Sequence, residues 1–126
     1  MNTPVNYKLA KLLKEKGFDE PCKLCVEEGD EMPLPFNCGD TIHRNSLHPY
    51  YSAPTISEVV MWLYEKHGLW TNVVYMGFEL KYSWFIDIVT TSGSHWDSYG
   101  EEGDICYNSP TEAYEAAIEY TLTKLI

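Results

Sequence analysis

The stretch SAPTISEVVMWLYEKHG, residues 52–68, commits its part of the chain to one conformation. Thr55 and Glu58 stand in the T-x-x-E spacing of a capping box, where hydroxyl and carboxylate each accept the other residue's backbone N–H. Ile56, Val59, Val60 and Leu63 recur at helical spacing and form one apolar stripe. Gly68 stands where a left-handed residue ends a helix. Directly afterwards the pattern changes. LWTNVVYMGFELKYSWFIDIVTT, residues 69–91, is rich in β-branched and aromatic residues and predicts two antiparallel strands turning near Gly77 to Tyr82. In the second strand Tyr82, Trp84, Ile86 and Ile88 share one face, and Phe85, Asp87 and Val89 the other. One face can therefore meet helices while the other is partly wet.

Two more helices supply the cover. Val5, Leu9, Leu12 and Leu13 form an apolar stripe opposite a set of lysines, with Gly17 as the cap. At the other end, NSPTEAYEAAIEYTLTKLI places Ser109 as N-cap, Pro110 at the first helical position and Glu112 three residues after the cap. Its stripe is Tyr114, Ile118, Leu122 and Leu125. Between Asp19 and Tyr51 the periodicity fades among acidic residues and prolines, leaving room for short strands near Lys23 to Val26 and Thr41 to Ser46. Ser92 to Gly103 reads as a polar loop, and Asp104 to Tyr107 as a further short strand. The order α-β-β-α-β-β-(β)-α predicts an α+β fold. It is a single two-layer domain over residues 1–126, with three helices laid on an antiparallel sheet.

Nine Lys plus Arg against nineteen Asp plus Glu give a net charge of -10, which repels phosphate backbones and argues against direct binding of nucleic acid or an anionic membrane. The acidity is uneven. From Asp97 to Glu119 every charged residue is acidic, whereas the first helix is lysine-rich. No window approaches a membrane span, and the N-terminus lacks the apolar run of a signal peptide, so the expected setting is cytoplasmic.

Cys22, Cys25, Cys38 and His43 form the pattern C-x2-C-x12-C-x4-H. Those residue types could hold zinc as a tetrahedral Cys3His site, given a tight knuckle between the first two cysteines. In a reducing compartment the same cysteines read as thiols, ligands or small buried hydrophobes rather than disulfides. A redox pair at Cys22 and Cys25 is disfavoured, because the surrounding carboxylates raise a thiol pKa and Lys23 alone does not offset them. SGSHWD offers Ser92, Ser94, His95 and Asp97, but neighbours in sequence are not a nucleophile, base and acid that meet in space. His67, near the end of the second helix, suits the helix dipole. The chain shows no GxSxG, P-loop, GxGxxG or HExxH pattern.

LKEKGFDEPC at residues 13–22, an APT-led helix ending W-L-x-x-K-H-G, an aromatic hairpin and a final helix opened by an EA pair resemble a family of small uncharacterised proteins. That family is found in Bacteroides-type bacteria and their phages and mobile elements. It has no assigned activity. The resemblance implies a single domain in a bacterial or phage cell interior and transfers no catalytic residue.

The leading expectation is a non-catalytic accessory protein that binds a protein partner, basic in character, through an acidic, aromatic-rich surface. Trp70, Trp96, Tyr99 and Tyr107 are its candidate anchors, since Trp and Tyr dominate interface energetics. A zinc-stabilised domain is the alternative from another class. A hydrolase or small-ligand domain is a third, and it requires a pocket with convergent polar groups. Oligomeric state is not encoded in any of these patterns.

Overall fold

The computed structural model describes residues 3–27, 36–42, 50–77, 79–89, 98–100 and 106–126; within 36–42 and 98–100 the description is of the backbone, Asn37 and Gly100 excepted. The elements run α1 (Tyr7–Glu15), β1 (Cys22–Glu27), β2 (Phe36–Ile42), β3 (Tyr50–Ser52), α2 (Ile56–His67), β4 (Leu69–Met76), β5 (Lys81–Ile88), β6 (Ser98–Gly100) and α3 (Pro110–Tyr120). A π-helical turn over Thr121–Leu125 continues the last helix, closed by Ile126 N–H donating to the Thr121 carbonyl at 3.2 Å. The fold is α+β.

The caps form as the sequence predicts. Glu58 N–H donates to Thr55 Oγ1 at 3.3 Å, and Thr55 N–H to Glu58 Oε1 at 3.0 Å, so the capping box at α2 is complete. Gly68 ends that helix with φ +65°, and its carbonyl accepts the Val89 N–H at 2.8 Å. The helix end is thereby tied to the far end of the hairpin. Ser109 caps α3 by accepting the Glu112 N–H at 3.1 Å, with Pro110 at its first position.

The strands make two three-stranded sheets, ordered β2-β1-β3 and β4-β5-β6, all antiparallel. This refines the expectation of one sheet, and the cause is local. The weak strands of the first half pair among themselves, while residues 3–5 run beside 54–56 through Val5 N–H to Pro54 O and Ile56 N–H to Thr3 O, both 2.9 Å. The hairpin is the longest pairing, in register from Leu69 opposite Ile88 to Met76 opposite Lys81. Three strand assignments change. β2 begins at Phe36, five residues before the expected Thr41, β3 forms at Tyr50–Ser52 where no strand is expected, and β6 forms at Ser98–Gly100 inside what reads as loop. Polar residues can add a short edge strand when β5 offers its free backbone groups, and this overrides their weak propensity. Of the expected strand at Asp104 to Tyr107, residues 104–105 lie outside the described residues; Tyr107 exchanges two backbone hydrogen bonds with Tyr82, both 2.8 Å.

Two clusters make the core. Leu9, Leu13 and Phe18 meet Ile56, Val59 and Leu63 of α2, with Ile118 of α3 and Leu122 of the π-helical turn closing the cluster. Each such side chain contributes about 1.5–3 kcal/mol by leaving water. Trp84 and Ile86 of β5 pack with Leu69 and Ala117 in the second cluster. Their face of the hairpin lies beneath α3, Trp84 meeting the Tyr120 ring at 5.1 Å, while Val74 and Val89 on the other face are exposed. The alternation read from YSWFIDIV is thus the alternation between core and solvent.

Candidate functional site

α1 ends in a left-handed turn that decides where the next residues go. Gly17 has φ +87°, a conformation costly for residues with a Cβ, and the turn is closed by Phe18 N–H to the Leu13 carbonyl at 2.9 Å. Phe18 is thereby folded back against the molecule and meets Trp62 of α2 edge to face, ring centroids 5.3 Å apart. Both rings are almost covered, at 1% and 4% exposure, so they make a floor rather than a projecting surface. On the α2 side Glu58, Met61, Trp62 and Glu65 stand at i, i+3, i+4 and i+7, one stripe of the helix. Glu20 and Pro21 form the opposite wall.

The result is an open groove of about 340 Å³ with an aromatic floor and three carboxylates around it. Met61, 44% exposed, stands among them. A second hollow of about 670 Å³ shares Pro21, Ser57 and Glu58 with the first and continues toward Lys23, Leu24 and Asn37. The first runs along α2 to Glu65, and the second stays at its N-terminal turn.

Cys22 reports on the electrostatics behind this groove. Its thiol is buried and donates to the Glu20 carbonyl at 3.5 Å. Burial, then the carboxylates of Glu58 and Glu20, push its pKa from an ordinary 9.0 to about 12, against a smaller opposing contribution from the Ser52 hydroxyl. The thiol stays protonated and makes a poor nucleophile. The redox reading of Cys22 and Cys25 therefore has no physical support here.

Cys22 and Cys106 are free, whereas Cys25 is disulfide-bonded. This corrects the expectation that the cysteines are all thiols, ligands or buried hydrophobes. β1 is a strand and not a knuckle, and its backbone pairs with that of β2, which carries Cys38. Of the zinc quartet, Cys22 is a protonated buried thiol and Cys25 is oxidised; the side chain of Cys38 and the whole of His43 lie outside the described residues. Among the described residues no group of three His, Cys, Asp or Glu side chains is placed to hold a metal ion.

Of the candidate anchors, Trp70 and Tyr107 are the two whose side chains lie among the described residues. Trp70 is 37% exposed and meets Tyr64 of α2 edge to face at 5.6 Å. Tyr107 is half-buried opposite Tyr82, while Trp70 stands opposite Asp87, five residues further along β5. Tyr99 has its backbone paired with Ile86, and Trp96 lies outside the described residues, as do Ser92, Ser94, His95 and Asp97 of the hydrolytic reading. His67 is exposed at the end of α2 with its ring 5.0 Å from Trp62.

The acidic C-terminal part also has a hollow, about 280 Å³, between α1 and α3. Glu112, Glu115 and Glu119 line it with Lys8, which pairs with Glu119 at 2.6 Å. Burial and then Glu112 raise the Glu115 pKa. That hollow is partly neutralised by its own lysine, unlike the groove at Trp62.

The groove lies in other elements than the aromatic residues singled out in the sequence. The signal for the groove was present: GFDEP brings Phe18 and Glu20 after a helix cap, and the E-x-x-M-W-x-x-E spacing of α2 aligns two glutamates across Met61 and Trp62. Comparison with protein-family models, with curated proteins and with solved structures returned no match. Among the described residues no helix is long and apolar enough to cross a membrane.

Proposed function

We propose that this chain is a non-catalytic binding domain that takes a basic segment of a protein partner along the groove beside α2. The observation that carries the reading is the set of three carboxylates, Glu20, Glu58 and Glu65, around the Phe18 and Trp62 floor. A cationic side chain entering there gains three nearby negative charges and an aromatic surface, while its aliphatic stem lies against Met61. The net charge of -10 draws basic partners at longer range and keeps polyanions away.

The bacterial or phage accessory role belongs to the same proposal and rests on the sequence resemblance. The compartment is part of the proposal as well: the disulfide at Cys25 favours an oxidising setting over the cytoplasm expected from the sequence, and the high pKa of Cys22 protects that bond from exchange.

Titration calorimetry with a lysine- and leucine-containing peptide tests the reading. Binding that weakens steadily with added salt and is lost in the Glu20→Gln/Glu65→Gln variant supports it. Heat that is absent at low salt, or unchanged in the variant, rejects it.

A further inference from the structure

We propose that two copies of this chain associate through β4, whose outer edge pairs antiparallel with itself about a twofold axis at Val74. This association is independent of what the groove beside α2 takes. In the sheet β4-β5-β6, β4 is an edge strand of eight residues. Val89 N–H donates to the Gly68 carbonyl, so in the register that sets Leu69 opposite Ile88 the even-numbered residues of β4 turn their backbone groups toward β5. Leu69, Thr71, Val73 and Tyr75 turn theirs away, and among the described residues no backbone group takes them up. Leu69 and Thr71 are covered, whereas Val74 and Tyr75 are 41% and 52% exposed. The open part of the edge is therefore the half from Val73 to Met76.

Edge strands resist self-pairing by carrying charge or proline, by a bulge, or by being very short. β6 is three residues long and ends in glycine. β4 has none of these devices: LWTNVVYM carries no charged residue and no proline, and its pairing with β5 runs without a bulge. In a chain of net charge -10, an uncharged strand is where two copies meet without like charges face to face. A twofold axis perpendicular to the sheet keeps like faces on one side, and centring it on Val74 matches the exposed half of the strand. Val73 and Tyr75 then exchange both backbone hydrogen bonds on either side of the axis. The two Val74 side chains meet at a non-hydrogen-bonded position, where Cα atoms stand about 4.5 Å apart. The hairpin turn of each copy passes the start of the other's β4, which brings the exposed Glu79 toward the exposed Lys66 at the end of α2. A second copy is the occupant these features select, because it brings the same uncharged strand and the opposite charge at each end.

Sedimentation equilibrium of the full chain, from roughly 1 μM to 1 mM, should show a monomer–dimer equilibrium with a Kd of about 100 μM, as a small interface gives. Val74→Lys and Val74→Glu, at an exposed position, should each weaken the dimer at least about tenfold by setting like charges opposite one another, with the thermal midpoint of unfolding unchanged. Mixing the two variants should restore the dimer, because residue 74 meets only its own counterpart across the axis. A chain that stays monomeric at every concentration overturns the association and leaves the edge to an extended segment of another protein. A dimer that Val74→Lys does not weaken overturns β4 as its seat. Weakening in both variants that mixing does not reverse overturns the axis at Val74.

Discussion

Raising the pH should unfold this protein partly through one atom, the Cys22 sulfur. The thiol is 1% exposed, and its folded pKa of about 12 stands above the ordinary 9.0. Below pH 9 the thiol is protonated in both states, so its neutral form contributes its full stabilisation. Between pH 9 and 12 the unfolded chain releases the proton while the folded one keeps it, and stability falls with pH. Three pKa units at 1.36 kcal/mol each set the total near 4 kcal/mol, and a measurement at pH 10.5 reaches about half of it. Tyrosines and lysines titrate in the same range, so the quantity to measure is a difference. Denaturant unfolding of wild type and Cys22→Val on fresh samples from pH 7.5 to 10.5 should show wild type losing about 2 kcal/mol more than the variant. The valine fills the site without an ionisable group, so any offset at pH 7.5 is a packing difference that cancels from the slope. Parallel curves for the two proteins would refute the burial and the carboxylate neighbours assigned to this thiol.

Three other outcomes follow from local geometry. Gly68→Ala should destabilise by about 1–2 kcal/mol in thermal or denaturant unfolding, because φ +65° disfavours a Cβ and that Cβ would stand 3.2 Å from the Val89 carbonyl oxygen. Leu80→Gly should stabilise by about 1 kcal/mol, since Leu80 is 72% exposed yet held at φ +56° in the turn of the β4–β5 hairpin. Native protein should alkylate quickly at half-exposed Cys106 and slowly at buried Cys22; Cys25 should react only after reduction, as peptide mass mapping would show.

The parts of the fold that were legible in the sequence are those whose signals are local. Thr55, Glu58 and Gly68 specify the ends of α2 by hydrogen bonds and backbone conformation within a few residues, and the alternation from Tyr82 to Ile88 specifies which face of β5 is buried. β6 and the start of β2 were not legible, because short polar strands are chosen by the edge that offers them hydrogen bonds and not by their own residues. The same limit applies to the site. Exposed aromatics drew attention to Trp70 and Tyr107, whereas the groove depends on two nearly covered rings, Phe18 and Trp62, brought together from separate elements. Pairing of a helix cap with a helix face forty residues away is a tertiary event, and no periodicity announces it. The cysteines show the converse. Their spacing suggested ligands, but the pairing of β1 with β2 decides how the sulfurs are presented.

The central claim is that a basic segment seats in the groove beside α2, and two-dimensional NMR tests it most directly. Titrating the full chain with the lysine- and leucine-containing peptide should shift the Met61 methyl, the Trp62 indole N–H and the amides of Glu58 and Glu65, while Trp70 and Tyr107 stay in place. Shifts centred on Trp70 or on the hollow between α1 and α3, or no shifts at low salt, would contradict the account.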